Sequence, residues 1–367
     1  MISFLYSSLN RYFCRSLLFW FAVCFGVILA IVSFFEMIEL LRRSMTNPQV
    51  PFALIGEMVL LKIPQHIEML LPFVTFSASI LSLWRLNQTQ EILSARASGV
   101  SVWQLTVGLN VLVLILGIIY LVFVNPIGAA MTGRLSQIEE KAFGNSNSLL
   151  SISPAGLWLR ESTGEGKTIF HADYFDFLQN KFGQVSFYDF DHNGSYAGRY
   201  DAKEASLENG EWRLEKVTHW NKENIPEEIG MASRKTDLTL SKIQESYAPP
   251  ESLSFWKVRR YIDVLKKAGL SNVRYKLYWH SQISKIGLMI SMVFLASTFC
   301  LHPIRYRNAS YLIAFGLFSG FVIHFLGDVI YALGLAGKIP VLLAAWIPAL
   351  VTLMLSLTFL LHQEGGE

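Results

Sequence analysis

The chain has little of what disulfide scaffolds, metalloproteins and nucleic-acid binders require. It contains three cysteines in 367 residues, and all of them lie in or beside hydrophobic runs. Its polar middle therefore has no disulfide framework, and no Cys/His spacing is typical of a metal site. Charged residues make up only 16% of the sequence and the net charge is +3, without a basic run or a nucleic-acid motif. We therefore expect no metal, no cofactor and no nucleic-acid partner.

Recognisable catalytic motifs are also missing. There is no Gly-x-Ser-x-Gly elbow and no His-Glu-x-x-His pair, and nothing supports a triad assembled from distant residues. The stretch 166–168, Gly-Lys-Thr, resembles the end of a phosphate-binding loop. That loop needs a glycine where Glu161 stands and a helix after it, whereas the following Ile-Phe-His is typical of a strand. We predict a hairpin turn here and a chain that does not itself hydrolyse ATP.

The sequence does have six hydrophobic runs, three before a long polar middle and three after it. They cover 17–35, 69–84, 102–124, 286–301, 309–329 and 339–362. A bilayer-spanning helix needs about 20 mostly apolar residues, and the second run reaches this length if its helix begins near Lys62. We predict a membrane α-helical protein of six transmembrane helices with an inserted all-β domain. Helices one to three occupy 1–125, the β domain with flanking helices 126–280, and helices four to six 281–367.

Basic residues in the short loops predict the orientation. Cytoplasmic loops collect Lys and Arg, whereas long domains cross the membrane regardless of charge. An N-terminus inside puts these arginines in the cytoplasm: Arg11, Arg15, Arg85, Arg96, Arg305 and Arg307. It leaves fewer basic residues outside: Arg42, Arg43, Lys62 and Lys338. The first run is too long for a signal peptide and lacks a small-residue cleavage site. We expect a retained anchor, both termini in the cytoplasm and the middle domain outside.

The polar middle is typical of short β-strands. Apolar and polar residues alternate over 185–190, and again over 211–214, where Trp212 and Leu214 would share one face. Turn signals rich in glycine and asparagine separate such runs at 164–166, 192–194 and 208–210. Short strands with this punctuation predict a small sandwich or jelly roll.

A short helix is delimited between the second and third hydrophobic runs. Residues 90–97 are good helix formers, Gly99 is a natural C-terminal stop, and Ser101 to Gln104 form a capping-box pattern that begins the third span. One interpretation is a solvated connector, and the other is a coupling helix that docks on an ATPase. Physical reasoning alone favours the connector, because short interhelical helices are common.

A family resemblance favours the coupling helix over the solvated connector. The segment Glu91–Gly99 resembles the coupling segment of the lipopolysaccharide export permease family LptF/LptG, also called YjgP/YjgQ. The resemblance covers the whole chain and includes the 249–262 stretch. The Gly156-Leu157-Trp158 sequence and the Tyr275–Trp279 stretch are nearer the LptG branch, although the latter is one place short of that branch's Tyr-x-Leu-x-x-Trp. The resemblance implies a non-catalytic permease subunit of an ABC transporter, which extracts lipopolysaccharide from the inner membrane toward the outer membrane.

The resemblance also implies partners and residue roles. The partners are an LptF-like permease subunit in a heterodimer, a cytoplasmic LptB-like ATPase dimer, and an LptC-like protein on the periplasmic bridge. Lateral gates would form at spans one and five. The residues placed against the ATPase are Glu91, Ile92, Leu93, Ala95, Arg96, Ser98 and Gly99.

Charged residues crowd the outer end of the first span. Salt bridges at helical spacing, such as Glu39 to Arg43, are the simpler interpretation. The functional one is that Arg42 and Arg43 hold lipid phosphates, for which the guanidinium is suited. The family has basic residues at these two positions, but it has a lysine where this chain has Glu36.

The fifth span carries His324 and Asp328, four residues apart and on one helical face. Ionisable groups inside a membrane are candidates for function, and this pair opens a rival hypothesis of a proton-driven lipid carrier. A pair near the outer interface facing the lumen is the simpler interpretation, because broken helices and internal repeats are not seen. A second rival is a membrane-anchored assembly protein whose β domain binds a partner.

Overall fold

The computed structural model describes residues 8–45, 51–143, 150–153, 156–163, 166–176, 181–191, 195–208, 210–221, 225–236, 249–267, 271–300 and 309–365. The chain divides into two compact units. The first, here called the membrane unit, comprises Met1–Ile138, Glu251–Phe255 and Lys276–Glu367. The second, the β unit, comprises Glu139–Pro250 and Trp256–Tyr275.

Helices build the membrane unit and also contribute residues 139–143, 256–267 and 273–275 to the β unit. In chain order they are α1 (Ser8–Ser44), α2 (Phe52–Gln88), α3 (Glu91–Ala97), α4 (Val102–Ile119) and α5 (Asn125–Phe143), followed after the β strands by α6 (Phe255–Lys267), α7 (Val273–Cys300), α8 (Ala309–Leu335) and α9 (Val341–Gly365). A short π-helical stretch, Tyr120–Val124, joins α4 to α5 and is called the π segment. Six helical segments are long and apolar enough to cross a membrane. The prediction of six spans with an inserted β domain is therefore confirmed.

The helix α2 is the most enclosed of the long helices. It begins just after Pro51, well before Lys62, so the second span has ample length. Val74, Phe76 and Ile80 on it are fully buried. A Cβ at Gly320 of α8 would lie 2.2 Å from the ring of Phe76. Glycine is thus required there, because any side chain would push α8 away from the core.

The boundaries of α3 follow the local sequence. Gln90 adopts a left-handed conformation with φ of 61° before it, and Gly99 has φ of 91° after it. Ser101 then accepts a hydrogen bond from the Gln104 backbone, while the Gln104 side chain accepts one from the Ser101 N–H. The predicted helix, its glycine stop and the capping box are all present.

The β unit contains one seven-stranded antiparallel sheet whose strands follow chain order. The strands are β1 (Leu150–Ser153), β2 (Gly156–Thr163), β3 (Gly166–Asp176), β4 (Lys181–Phe190), β5 (Tyr196–Glu208), β6 (Glu211–Trp220) and β7 (Pro226–Lys235). Thr163 pairs with Gly166 across the β2–β3 hairpin, so a hairpin is present as predicted, and the Gly-Lys-Thr sequence begins its second strand rather than forming the turn. The turn residues 164–165, 192–194 and 209, like Arg305 and Arg307, lie outside the described residues.

One face of the sheet is apolar. Trp212 and Leu214 are each 1% exposed and share this face, as the alternation predicted. The same face carries a row of paired residues across three strands, Phe170, Phe187 and Tyr200. The opposite face carries hydrogen-bonded polar groups, such as Ser186 with Asp201 at 2.7 Å. This difference between the faces gives the β unit its own core.

Candidate functional site

A cluster of polar side chains lies between the membrane-spanning helices α2 and α7, and Glu68 is at its centre. Lys285 Nζ donates to Glu68 Oε1 at 3.0 Å, and Gln282 Nε2 donates to the same oxygen. Tyr278 Oη donates to the other carboxylate oxygen at 3.4 Å. The three donors are spaced four and three residues apart on α7, which places them on one face of that helix. The side chains of Glu68 and Lys285 are only 20% and 19% exposed.

The cluster continues into the π segment and α5. Tyr120 Oη donates to Gln282 Oε1 at 2.8 Å. Asn125 Nδ2 donates to Tyr278 Oη at 3.2 Å, and its Oδ1 accepts from the backbone N–H of Phe255 at 2.7 Å. A π turn shifts the side-chain phase of a helix, and such turns recur at functional sites. Here the side chains of Tyr120, in the π segment, and Asn125, just after it, point in directions that differ from those in a regular α-helix. These directions bring them to their hydrogen-bond partners.

A cavity of about 500 Å³ lies beside this cluster. Its lining comes from α2, α7, α8 and α9, together with Glu251. His324 and Asp328 both line it, so the structure brings this predicted pair to the same cavity as Glu68 and Lys285. The ring of His324 lies 6.5 Å from that of Phe73. Its Nε2 is buried and has no hydrogen-bond partner among the described residues.

Two arginines in the last turn of α1 share one carboxylate. Arg42 donates to both oxygens of Glu39 at 2.9 Å, and Arg43 Nε donates to Oε1 at 3.1 Å. The arginine side chains remain 75% and 56% exposed. The salt bridge predicted for Glu39 and Arg43 is present, and Arg42 adds a second one. Both guanidinium groups are therefore accessible at the surface of this chain.

Glu36 near the end of α1 pairs with the next helix. Lys62 Nζ on α2 donates to Glu36 Oε1 at 2.6 Å, and His66 Nε2 lies 3.8 Å from Oε2. The Glu36 and Lys62 side chains are 20% and 17% exposed. The carboxylate therefore does not stand alone in the membrane, because α2 supplies its counter-charge.

The short helix α3 has a buried face and an exposed face. Ile92 and Ala95 are 3% and 5% exposed and anchor α3 to the membrane unit, whereas Leu93 is 57% exposed. Ser98 and Gly99 at its end are also exposed. Leu93 therefore projects from the face of α3 that does not pack on the membrane unit.

Glu91 begins α3 and is fixed by its neighbours. Its Oε1 accepts from Thr89 Oγ1 at 2.8 Å and from Tyr12 Oη of α1 at 3.2 Å. A carboxylate in the first turn also interacts favourably with the helix dipole. The Tyr12 contact links the start of α3 to α1, and Arg96 lies one turn further along α3.

Comparison with known proteins bears on what this arrangement is for. The family model described as lipopolysaccharide export system permease LptF/LptG matches residues 11–362. The chain belongs to the LptF/LptG family. The lipopolysaccharide export system permease protein LptG of Escherichia coli strain K12 is 24% identical over 317 residues, which cover 84% of this chain and 86% of the relative. The LptG of Escherichia coli O6:H1 strain CFT073 matches to the same extent. The resemblance found in the sequence is confirmed, and this LptF/LptG chain is a multi-pass inner-membrane protein.

The sequence interpretation missed the central cluster of this LptF/LptG chain. Glu68, Gln282 and Lys285 were not among its candidates. A signal is present in the sequence, because Glu68 and Lys285 each stand one residue before a hydrophobic run, those that begin at Met69 and Ile286. Both charges lie well inside helices that extend beyond these limits.

Proposed function

We propose that this chain is the permease subunit of an ATP-driven exporter that takes lipopolysaccharide from the inner membrane and passes it to a periplasmic bridge toward the outer membrane. A second, LptF-like permease subunit would complete the lumen, and an LptC-like protein would receive the lipid from the β unit. Both termini would lie in the cytoplasm. ATP hydrolysis would take place in a separate LptB-like dimer, since the described part of the chain shows the Gly-Lys-Thr sequence in a strand.

The observation that carries this proposal is the anchored helix α3. Its buried face is fixed to the membrane unit, and Leu93 projects from its exposed face. An ATPase that binds the exposed face of α3 can move α2, because α3 follows α2 after only Thr89 and Gln90. The proposed coupling residues therefore divide into anchors, Ile92 and Ala95, and a docking face that includes Glu91 and Leu93.

We expect Glu91→Arg to remove the bound ATPase. The change reverses the charge at the start of α3, where a cation is unfavourable, and abolishes the acceptor for Tyr12 and Thr89. The measurement is co-purification of tagged wild type and variant from their native membranes, followed by an ATPase assay and lipid mass spectrometry. Wild type should retain an ATPase and lipopolysaccharide, whereas the variant should lose most of the ATPase activity.

The matched control is Glu228→Arg, the same charge reversal at an exposed position on β7. It should leave the ATPase bound. If wild type retains neither an ATPase nor a glycolipid, the proposal is wrong. Export that survives removal of the ATPase and stops when the proton gradient is dissipated would favour the proton-driven carrier.

We further propose that Arg42 and Arg43 contact the lipid phosphates. Both side chains are exposed and are held by Glu39, and the geometry of a guanidinium group suits a phosphate. Replacing both with alanine should weaken photocrosslinking of lipopolysaccharide to the end of α1 several-fold, with the ATPase still bound. Replacing both with lysine keeps the charge and should restore part of the crosslinking. Crosslinking and export at wild-type levels in the double alanine variant would contradict this role.

A further inference from the structure

The cavity beside the polar cluster has the size and walls of a small-molecule site. Its volume of about 500 Å³ lies within the range of pockets that hold small organic ligands. One part of the lining is apolar and is contributed by Met69, Pro72, Leu288, Ala345, Pro348 and Ala349. The other part carries charge and hydroxyl groups. A ligand that matches both parts has to be amphipathic.

The charges on the wall favour a cation. Three carboxylates line the cavity, those of Glu68, Glu251 and Asp328, against one ammonium, that of Lys285. Lys285 lies 3.0 Å from Glu68, so its charge is already balanced. An anion entering the cavity would face the remaining negative charge, whereas a cation would reduce it.

Asp328 is the carboxylate left without a counter-charge. Within the described ranges it forms no salt bridge and no hydrogen bond. It lies seven residues before the end of α8 at Leu335, which is about 10 Å along the helix at the usual rise. Asp328 is exposed in this chain and lines the cavity, so a cation that enters the cavity can reach its carboxylate.

We propose that this cavity binds an amphipathic ammonium, with its cation beside Asp328 and its apolar part against Met69, Leu288 and Pro348. The inference goes beyond the proposed function, because the substrate proposed above is held through phosphates, which this wall repels. Two sources supply this chemistry, a membrane lipid with an amine head group and a free alkylamine. The described residues contain no group of three or more His, Cys, Asp or Glu able to hold a metal.

Photolabelling of the purified full chain tests this site. The probe is a dodecyltrimethylammonium with a diazirine in its chain, applied to the protein in nanodiscs of phosphatidylglycerol, which contain no amine lipid. A dodecyl sulfate with the same diazirine is the anionic comparison. We expect saturable labelling of α2, α7 and α9 peptides by the cation, because its chain is placed against Met69, Leu288 and Pro348. Asp328→Asn should raise the concentration for half-maximal labelling about tenfold, as loss of a charge pair worth about 1.4 kcal/mol implies.

Two further variants keep this test independent of folding. Asp328→Glu retains the charge and should label like wild type. Glu57→Gln makes the same kind of change on α2 outside the cavity, where the carboxylate pairs with Arg134, and should also label like wild type. Unchanged labelling of Asp328→Asn, equal labelling by the sulfate, or loss of labelling once the partner permease subunit is bound would each overturn the inference.

The two sources are separated by native mass spectrometry of protein taken from its own membranes. An amine lipid retained by wild type and lost from Asp328→Asn identifies a lipid ligand, whereas binding only of added alkylamine identifies a free amine. Lipopolysaccharide is measured in the same samples. Its absence from wild type counts against the proposed export function and leaves the cavity result unaffected.

Discussion

Replacing Lys285 with methionine is expected to destabilise the membrane unit by about 3–5 kcal/mol, the usual cost of stranding one partner of a buried ion pair. Glu68 would keep its hydrogen bonds from Gln282 and Tyr278 but lose the ammonium 3.0 Å from its carboxylate. The measurement is the thermal unfolding midpoint of the purified full chain in detergent, followed by its intrinsic fluorescence.

The same substitution at Lys276 provides the control. Lys276 lies on the same helix but is exposed, so Lys276→Met should change stability by no more than about 0.5 kcal/mol. The double variant Glu68→Gln with Lys285→Met removes both charges and should recover most of the loss, since the penalty comes from the unpaired charge. Equal unfolding midpoints for Lys285→Met and Lys276→Met would show that leaving Glu68 without its counter-charge carries no such penalty.

Local signals in the sequence were sufficient to predict the boundaries of α3 and the start of α4. A glycine with positive φ and a capping box depend on neighbours within a few residues, so the printed sequence contains the whole cause. The β2–β3 hairpin is a similar case, because the Gly-Lys-Thr stretch is followed by residues with strand preference. The lengths of the hydrophobic runs alone were sufficient to predict the number of membrane spans.

The polar cluster could not be predicted in the same way. Glu68 and Lys285 are separated by 217 positions, and only the packing of α2 against α7 brings them together. A hydropathy window treats each charge as the end of a span, although a paired charge is tolerated inside one. The same reasoning applies to Glu36 and Lys62, whose pairing across α1 and α2 gives an acid on a spanning helix its counter-charge.

Truncation of Trp212 to alanine is expected to destabilise the β unit by about 3–5 kcal/mol, as large buried aromatic residues usually do. Its ring lies 4.7 Å from Phe170, 5.2 Å from Phe182 and 5.7 Å from Phe187, measured between centroids. Alanine would leave these three rings facing a void. The check is amide hydrogen exchange of β3, β4 and β6 in the full chain, which should accelerate together because the strands share this core.

Two other tryptophan variants separate core packing from the mere loss of an aromatic residue. Trp212→Phe keeps most of the ring volume and removes an indole N–H that has no hydrogen-bond partner among the described residues, so it should cost much less than alanine. Trp158→Ala affects the opposite face, where the side chain is 37% exposed and its ring lies near those of His171 on β3 and Tyr188 on β4, so it should leave exchange of β6 unchanged. Similar acceleration by Trp158→Ala and Trp212→Ala would mean that the apolar face is not the core of the β unit. The aromatic residues on that face would then not be the source of the sheet's stability. The face would instead be a surface that contacts lipid.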